Sequence, residues 1–73
     1  MDNKTLKALR EDLIGELGAI NQYQEHIDEI ENEKVKETLS HIRDNEKEHA
    51  AEITKIIREL DSIQEEKFQK EEL

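Results

Sequence analysis

The stretch LKALREDLIGELGAINQYQEHIDEI, residues 6–30, sets Leu6, Leu9, Leu13, Glu16, Ile20, Tyr23, Ile27 and Ile30 at alternating steps of three and four. Such spacing returns each residue to one face of an α-helix, so this is an unbroken heptad seam. A second seam follows in VKETLSHIRDNEKEHAAEITKIIRELDSI, residues 35–63. It carries Val35, Leu39, Ile42, Glu46, His49, Ile53, Ile56, Leu60 and Ile63 at the same alternation. Leu17 and Ile57 lie beside these seams and widen them.

The seams are separated by Glu31-Asn32-Glu33-Lys34, where the step from Ile30 to Val35 is five. Asn32 suits a helix N-cap, and Glu33 suits the positive end of the helix that follows. The pattern predicts an all-α chain: an antiparallel hairpin of helices at about 5–31 and 33–60, with a turn at about 31–33; with no Gly or Pro to force that turn, a continuous helix stays open as the alternative. Ser62-Ile63-Gln64-Glu65 has the form of a capping box, predicting a short third helix at about 62–70. No linker or second domain is expected within residues 1–73.

Composition supports this reading and removes several functions. The 73 residues contain no Pro and no Cys, and only Gly15 and Gly18 weaken the helices. Without Cys there is no disulfide and no thiolate metal site. The net charge of −9 disfavours nucleic acid and anionic lipid surfaces while drawing cations. No apolar run is long enough to span a membrane and no basic-then-apolar leader is present, so a cytoplasmic chain is expected. A heptad kept through 42% charged residues argues against disorder.

Three residues contradict the seams that contain them. Glu16, Glu46 and His49 occupy positions that a helical pair would bury. A buried carboxylate without a partner costs several kcal/mol, and neither seam offers a Lys or Arg. A metal cation would compensate, and carboxylate with imidazole is a donor set that suits iron. Glu46 and His49 form Glu-x-x-His, one turn apart on one face. A turn centred near Asn32 brings Glu16 level with residues near 48, between those two. Tyr23, two turns from Glu16 on the same seam, lies nearby. One Glu and one Glu-x-x-His are half of the set that diiron carboxylate bundles use on four helices. A lone hairpin also leaves its seam uncovered. Ligand count and burial therefore both call for a homodimer or larger even-numbered oligomer, closing a ferritin-like four-helix bundle.

The stretch Glu16-Leu17-Gly18-Ala19-Ile20-Asn21-Gln22-Tyr23, with His26, resembles the first ligand helix of bacterioferritins, and Glu46-Lys47-Glu48-His49-Ala50 their second. The length, the single Glu, the single Glu-x-x-His and the Glu-to-Tyr step of seven are more similar to the encapsulated ferritins. These are two-helix half-ferritins that rebuild the site across a dimer. The resemblance covers about residues 6–62. It implies ferroxidase activity on Fe(II), using dioxygen, for iron storage or detoxification. Glu16 would be a terminal carboxylate, Glu46 a bridging one, His49 the nitrogen ligand and Tyr23 a redox-active neighbour of a diiron centre. It also implies an encapsulin-type shell as partner, and hence a protein nanocompartment in the cytoplasm. Gln69–Leu73 do not resemble the tail that docks such proteins in a shell. Gly15 and Gly18 stand where some relatives carry acids of an outer metal site.

Other readings stay open on the residues alone. Glu16, Glu46 and His49 could instead fix register in a non-catalytic coiled-coil interaction module. A diiron peroxide reductase similar to rubrerythrins would need an external electron donor, since no Cys-based centre is encoded. Gly15 and Gly18 suit either close helix approach beside a metal or simple tolerance. His26, His41, Asp12, Glu48 and Glu52 are expected on solvated faces.

Overall fold

A computed structural model describes residues 3–73. Those residues form three helices: α1 (Asn3–Glu29), α2 (Glu33–Leu60) and α3 (Ser62–Lys70). The first two make the antiparallel hairpin. α1 ends at Glu29, two residues short of the sequence expectation, with the Ile30 amide still donating to His26 O at 2.9 Å. Asn32 then starts α2: its backbone is extended, and its side-chain oxygen accepts from Val35 N at 3.1 Å. That bond satisfies a donor otherwise left open in the first turn.

The break after α2 is a single residue. Asp61 has φ −115° and ψ 98°, closes α2 by donating its N–H to Ile57 O, and caps α3 by accepting from Gln64 N at 3.1 Å. The cap of the third helix is therefore Asp61 and not the Ser62 of the sequence expectation. A carboxylate accepts a backbone N–H more strongly than a hydroxyl does, and Arg10 of α1 reaches its other oxygen at 2.9 Å. α3 turns back along the hairpin. Arg58 of α2 binds Glu65 through two hydrogen bonds, at 3.0 and 2.7 Å, and its guanidinium lies 4.4 Å from the centre of the Phe68 ring.

The α1 seam faces α2 along its length, with Leu6 and Ile27 buried at its two ends and the residues between them half-buried. The α2 seam departs from expectation. Ile57 is buried at 5% exposure, while Ile56 is 36% exposed and Ile63 66%. The residues facing α1 are Glu46, Ala50, Ile53, Ile57 and Leu60, a register one residue removed from the expected one at Ala50 and Ile57. Adjacent Ile residues left both registers available to a heptad, and packing against a single straight neighbour selects one. His49 falls on the flank at 50% side-chain exposure, outside the seam.

The hairpin is one layer thick. Its extents are 46 × 27 × 14 Å, and the smallest is close to the width of a single helix with its side chains. Its accessible surface of 5714 Å² exceeds the roughly 4,700 Å² that size scaling gives for a globular chain of 8.6 kDa. Stability thus rests on a narrow seam. In dilute metal-free protein, Ile57→Ala is expected to cost about 2–5 kcal/mol, as buried Ile truncations do, and Ile56→Ala less than half of that. Urea midpoints of the two variants check this; equal losses would mean that the other register packs in solution.

Candidate metal centre

The centre sits near mid-hairpin, where α1 supplies Glu16 and α2 supplies Glu46 and His49. One ligand-type atom from each lies within 4.8 Å of the others. His49 Nδ1 is 3.5 Å from Glu16 Oε2 and 3.6 Å from Glu46 Oε2. These are ionic separations beyond good hydrogen-bond length. Each side chain arrives by simple helix geometry. Glu16 belongs to the α1 seam, Glu46 faces it across the pair, and three residues further on His49 stands one turn along α2, leaning over the flank.

Electrostatics make the cluster costly. Glu16 Oε2 is buried without a hydrogen bond. The carboxyl of Glu16 is pushed above its usual range, first because a proton shared with Glu46 would be favourable, then by burial and the Glu46 charge. His49 opposes this only in part. For His49 the largest single influence is desolvation, which disfavours the imidazolium. The charges of Glu16 and Glu46 together outweigh it, so its pKa is raised. A buried oxygen that makes no hydrogen bond, beside a second carboxylate and an imidazole, is the donor chemistry that a cation relieves. The three residues fit iron on that ground, and one chain supplies only half of a diiron set.

An open groove of about 420 Å³ leads to Glu16 and Glu46, walled by Glu11, Asp12, Gly15, Ala19 and Ile53. Asp12, read from sequence as part of a solvated face, is exposed yet lines this groove. Glu11 and Ala19 had not been singled out, although Asp12, Gly15 and Ala19 recur at steps of three and four beside Glu16, which marks a shared face. A Cβ on Gly15 or Gly18 would meet nothing within 4 Å, so no close approach inside the hairpin demands either glycine. Tyr23 is half-buried further along α1, and among the described residues no hydrogen bond ties it to the cluster. His26 and His41 are exposed and apart from it.

The pKa shifts set a pH window for the metal-free fold. Raised values at Glu16 and His49 mean that their favourable, protonated contribution is full below about 4.5 and 6.5 respectively. It is lost as pH rises through the folded values. Asp61 is lowered by the Gln64 amide and then Arg10, and Glu65 by Arg58. Their contribution is present above 3.8 and 4.5 and is lost as pH falls through the lowered values. The melting temperature is therefore expected to peak in mildly acid solution and decline on both sides. Glu16→Gln should flatten the alkaline decline alone. Thermal melts across pH decide it, and an unchanged alkaline limb in that variant would remove Glu16 as its cause.

The chain is 41% identical over 63 residues to the encapsulin nanocompartment cargo protein EncC of Myxococcus xanthus (strain DK1622). That match spans 86% of this chain and 48% of the relative, so the chain corresponds to about half the length of that protein. No solved structure matches. The sequence model of the EncFtn-like family matches residues 1–72, and the chain belongs to this encapsulated-ferritin-like family of half-ferritins.

Proposed function

We propose that this chain is a ferroxidase subunit, in which two copies join Glu16, Glu46 and His49 from each into one diiron site that oxidises Fe(II) to Fe(III). The carrying observation is the convergence of two carboxylates and an imidazole, with one buried carboxylate oxygen that makes no hydrogen bond. Two copies supply four carboxylates and two imidazoles, the complement of diiron carboxylate bundles. Membership of the family supports an iron-related role.

In this reading Fe(II) is the substrate. It enters along the acidic groove, where Glu11 and Asp12 raise its local concentration. Glu16 and Glu46 replace its water ligands and offset its charge, and His49 supplies the nitrogen donor. Three negative-or-neutral donors per chain favour the more highly charged Fe(III) over Fe(II), which lowers the cost of removing an electron. Each of the two irons gives one electron, and dioxygen takes up the two electrons with two protons from solvent to leave as hydrogen peroxide. Tyr23, along the seam, would act as a redox-active neighbour. The product leaves for a mineral store elsewhere, since a single-layer hairpin encloses no volume for one. The named relative is an encapsulin cargo protein, so we place this chain beside or inside such a shell, in a cytoplasmic nanocompartment.

Anaerobic Fe(II) titration with metal analysis is expected to give one iron per chain. Native mass spectrometry should find that iron in dimers or larger even-numbered assemblies. A monomer retaining two irons would refute the shared site. Stopped-flow oxidation should separate ligands from the surrounding acids. Even loss of a group that merely orients a metal ligand costs ~10–100-fold, so Glu46→Ala should lose at least as much and Asp12→Ala much less. Equal losses would take Glu46 out of the site.

A further inference from the structure

His49 presents one ring nitrogen to the cluster. Its Nδ1 lies 3.5 Å from Glu16 Oε2 and 3.6 Å from Glu46 Oε2. The shape of the imidazole then turns Nε2 away from both carboxylates, toward the open flank of α2, where the side chain is half-exposed. Among the described residues no hydrogen bond reaches Nε2. A histidine that binds metal through one nitrogen almost always donates its other N–H to a carboxylate, a carbonyl or water. That bond fixes the tautomer, holds the ring plane and makes the ligating nitrogen more basic. His49 serves a cation through Nδ1 only with its proton on Nε2, so the flank needs an acceptor.

Helix geometry limits which residue of α2 can supply it. Side chains lean toward the N-terminus of their helix, so a residue that covers the His49 ring from the same helix stands three or four positions further on. Those positions are Glu52 and Ile53. Ile53 is apolar, faces α1 and walls the groove. Glu52 lies on the other side of His49, ~60° round the helix and ~4.5 Å along its axis. It is exposed and makes no hydrogen bond or ion pair among the described residues. Asn45, four positions before His49, leans away from it by the same rule. Glu48 is the adjacent residue, and adjacent helical residues do not face each other.

We propose that Glu52 is a positioning residue for the metal site: its carboxylate accepts a hydrogen bond from His49 Nε2–H when Nδ1 binds the cation. The inference rests on the metal site proposed above and adds to it a residue that touches neither metal nor dioxygen. Metal loading is the event that engages Glu52, because it fixes the proton on Nε2 and the ring in one orientation. Covering the flank with a second copy strengthens the bond. A charge-assisted N–H···O contact gains in a drier setting, and an imidazole N–H left there without an acceptor would be costly.

Glu52→Gln and Glu52→Ala remove the same charge but differ in what remains: Gln keeps an oxygen that accepts a hydrogen bond, and Ala keeps none. Glu48→Gln removes an equal charge one residue from His49 and serves as the control. Zn(II) affinity is measured by chelator competition. Loss of a group that orients a ligating histidine costs ~10–100-fold. Glu52→Ala is therefore expected to bind Zn(II) more weakly by that factor, Glu52→Gln to lose less, and Glu48→Gln to match the wild type. Imidazole nitrogen–proton spectra of histidine-labelled protein report the bond itself. The Zn(II)-loaded wild type should show a slowly exchanging, downfield Nε2 proton on His49, and Glu52→Ala should lack it. Melting temperatures of the metal-free variants should stay close to the wild type, because Glu52 has no partner before loading. Full Zn(II) affinity and a retained downfield proton in Glu52→Ala would overturn this role, leave the metal site standing and assign the acceptor to the second copy or to solvent. Equal losses in the Gln and Ala variants would overturn the hydrogen bond in favour of charge alone. A wild-type chain that binds no Zn(II) would overturn the metal site with it.

Discussion

Two carboxylates and an imidazole meet in the one seam that holds this hairpin together, and most other features answer to that fact. Glu16 and Glu46 occupy positions where Leu or Ile would stabilise the pair, and Glu16 leaves an oxygen buried without a hydrogen bond. Like charges at such separation raise the protonation affinity of the site and weaken the empty fold. A fold with so little apolar burial has small reserve against that penalty. A cation of high charge density reverses its sign, because the repulsion that weakens the metal-free chain becomes the binding energy of the loaded one.

The single-layer architecture follows the same logic at larger scale. Leu6, Ile27 and Ile57 are the buried apolar residues of the described chain, and the accessible surface is larger than a globular protein of this mass needs. One face of the hairpin is partly covered by α3. The opposite flank carries the groove, His49 and Ile56, and none of the described residues covers it. Ligand chemistry and uncovered apolar surface thus coincide on one flank. In the proposed dimer, covering that flank and completing the metal set would be one event, because a ligand that binds only the assembled state favours assembly.

This coincidence also weighs between the rival functions. A coiled-coil interaction module that used polar residues to fix register would need one such residue per pair, placed to meet its own kind. Three converging donor groups with an orphaned oxygen exceed that need and instead match a cation. A rubrerythrin-like reductase would require electrons from outside, and the cysteine-free chain encodes no relay. Oxidation of Fe(II) needs none, because the substrate itself is the donor.

Heptad spacing determined two helical seams, and the step of five from Ile30 to Val35 with the Asn32 cap favoured a turn between them; without Gly or Pro there, only the contact of α1 with α2 excluded one continuous helix. The three donor residues were equally legible, because polar groups in an apolar seam stand out against it and antiparallel pairing sets their level. The register of α2 was not legible: Ile56 and Ile57 satisfy the heptad equally, and only contact with α1 decided that Ile57 is buried. That choice placed His49 on an open flank and made a groove of Glu11, Gly15 and Ala19. The fold-back of α3 was hidden for a related reason. Arg10 and Asp61 lie 51 positions apart, and a helix break supported by distant ion pairs, with no Gly or Pro to mark it, is written in tertiary structure alone.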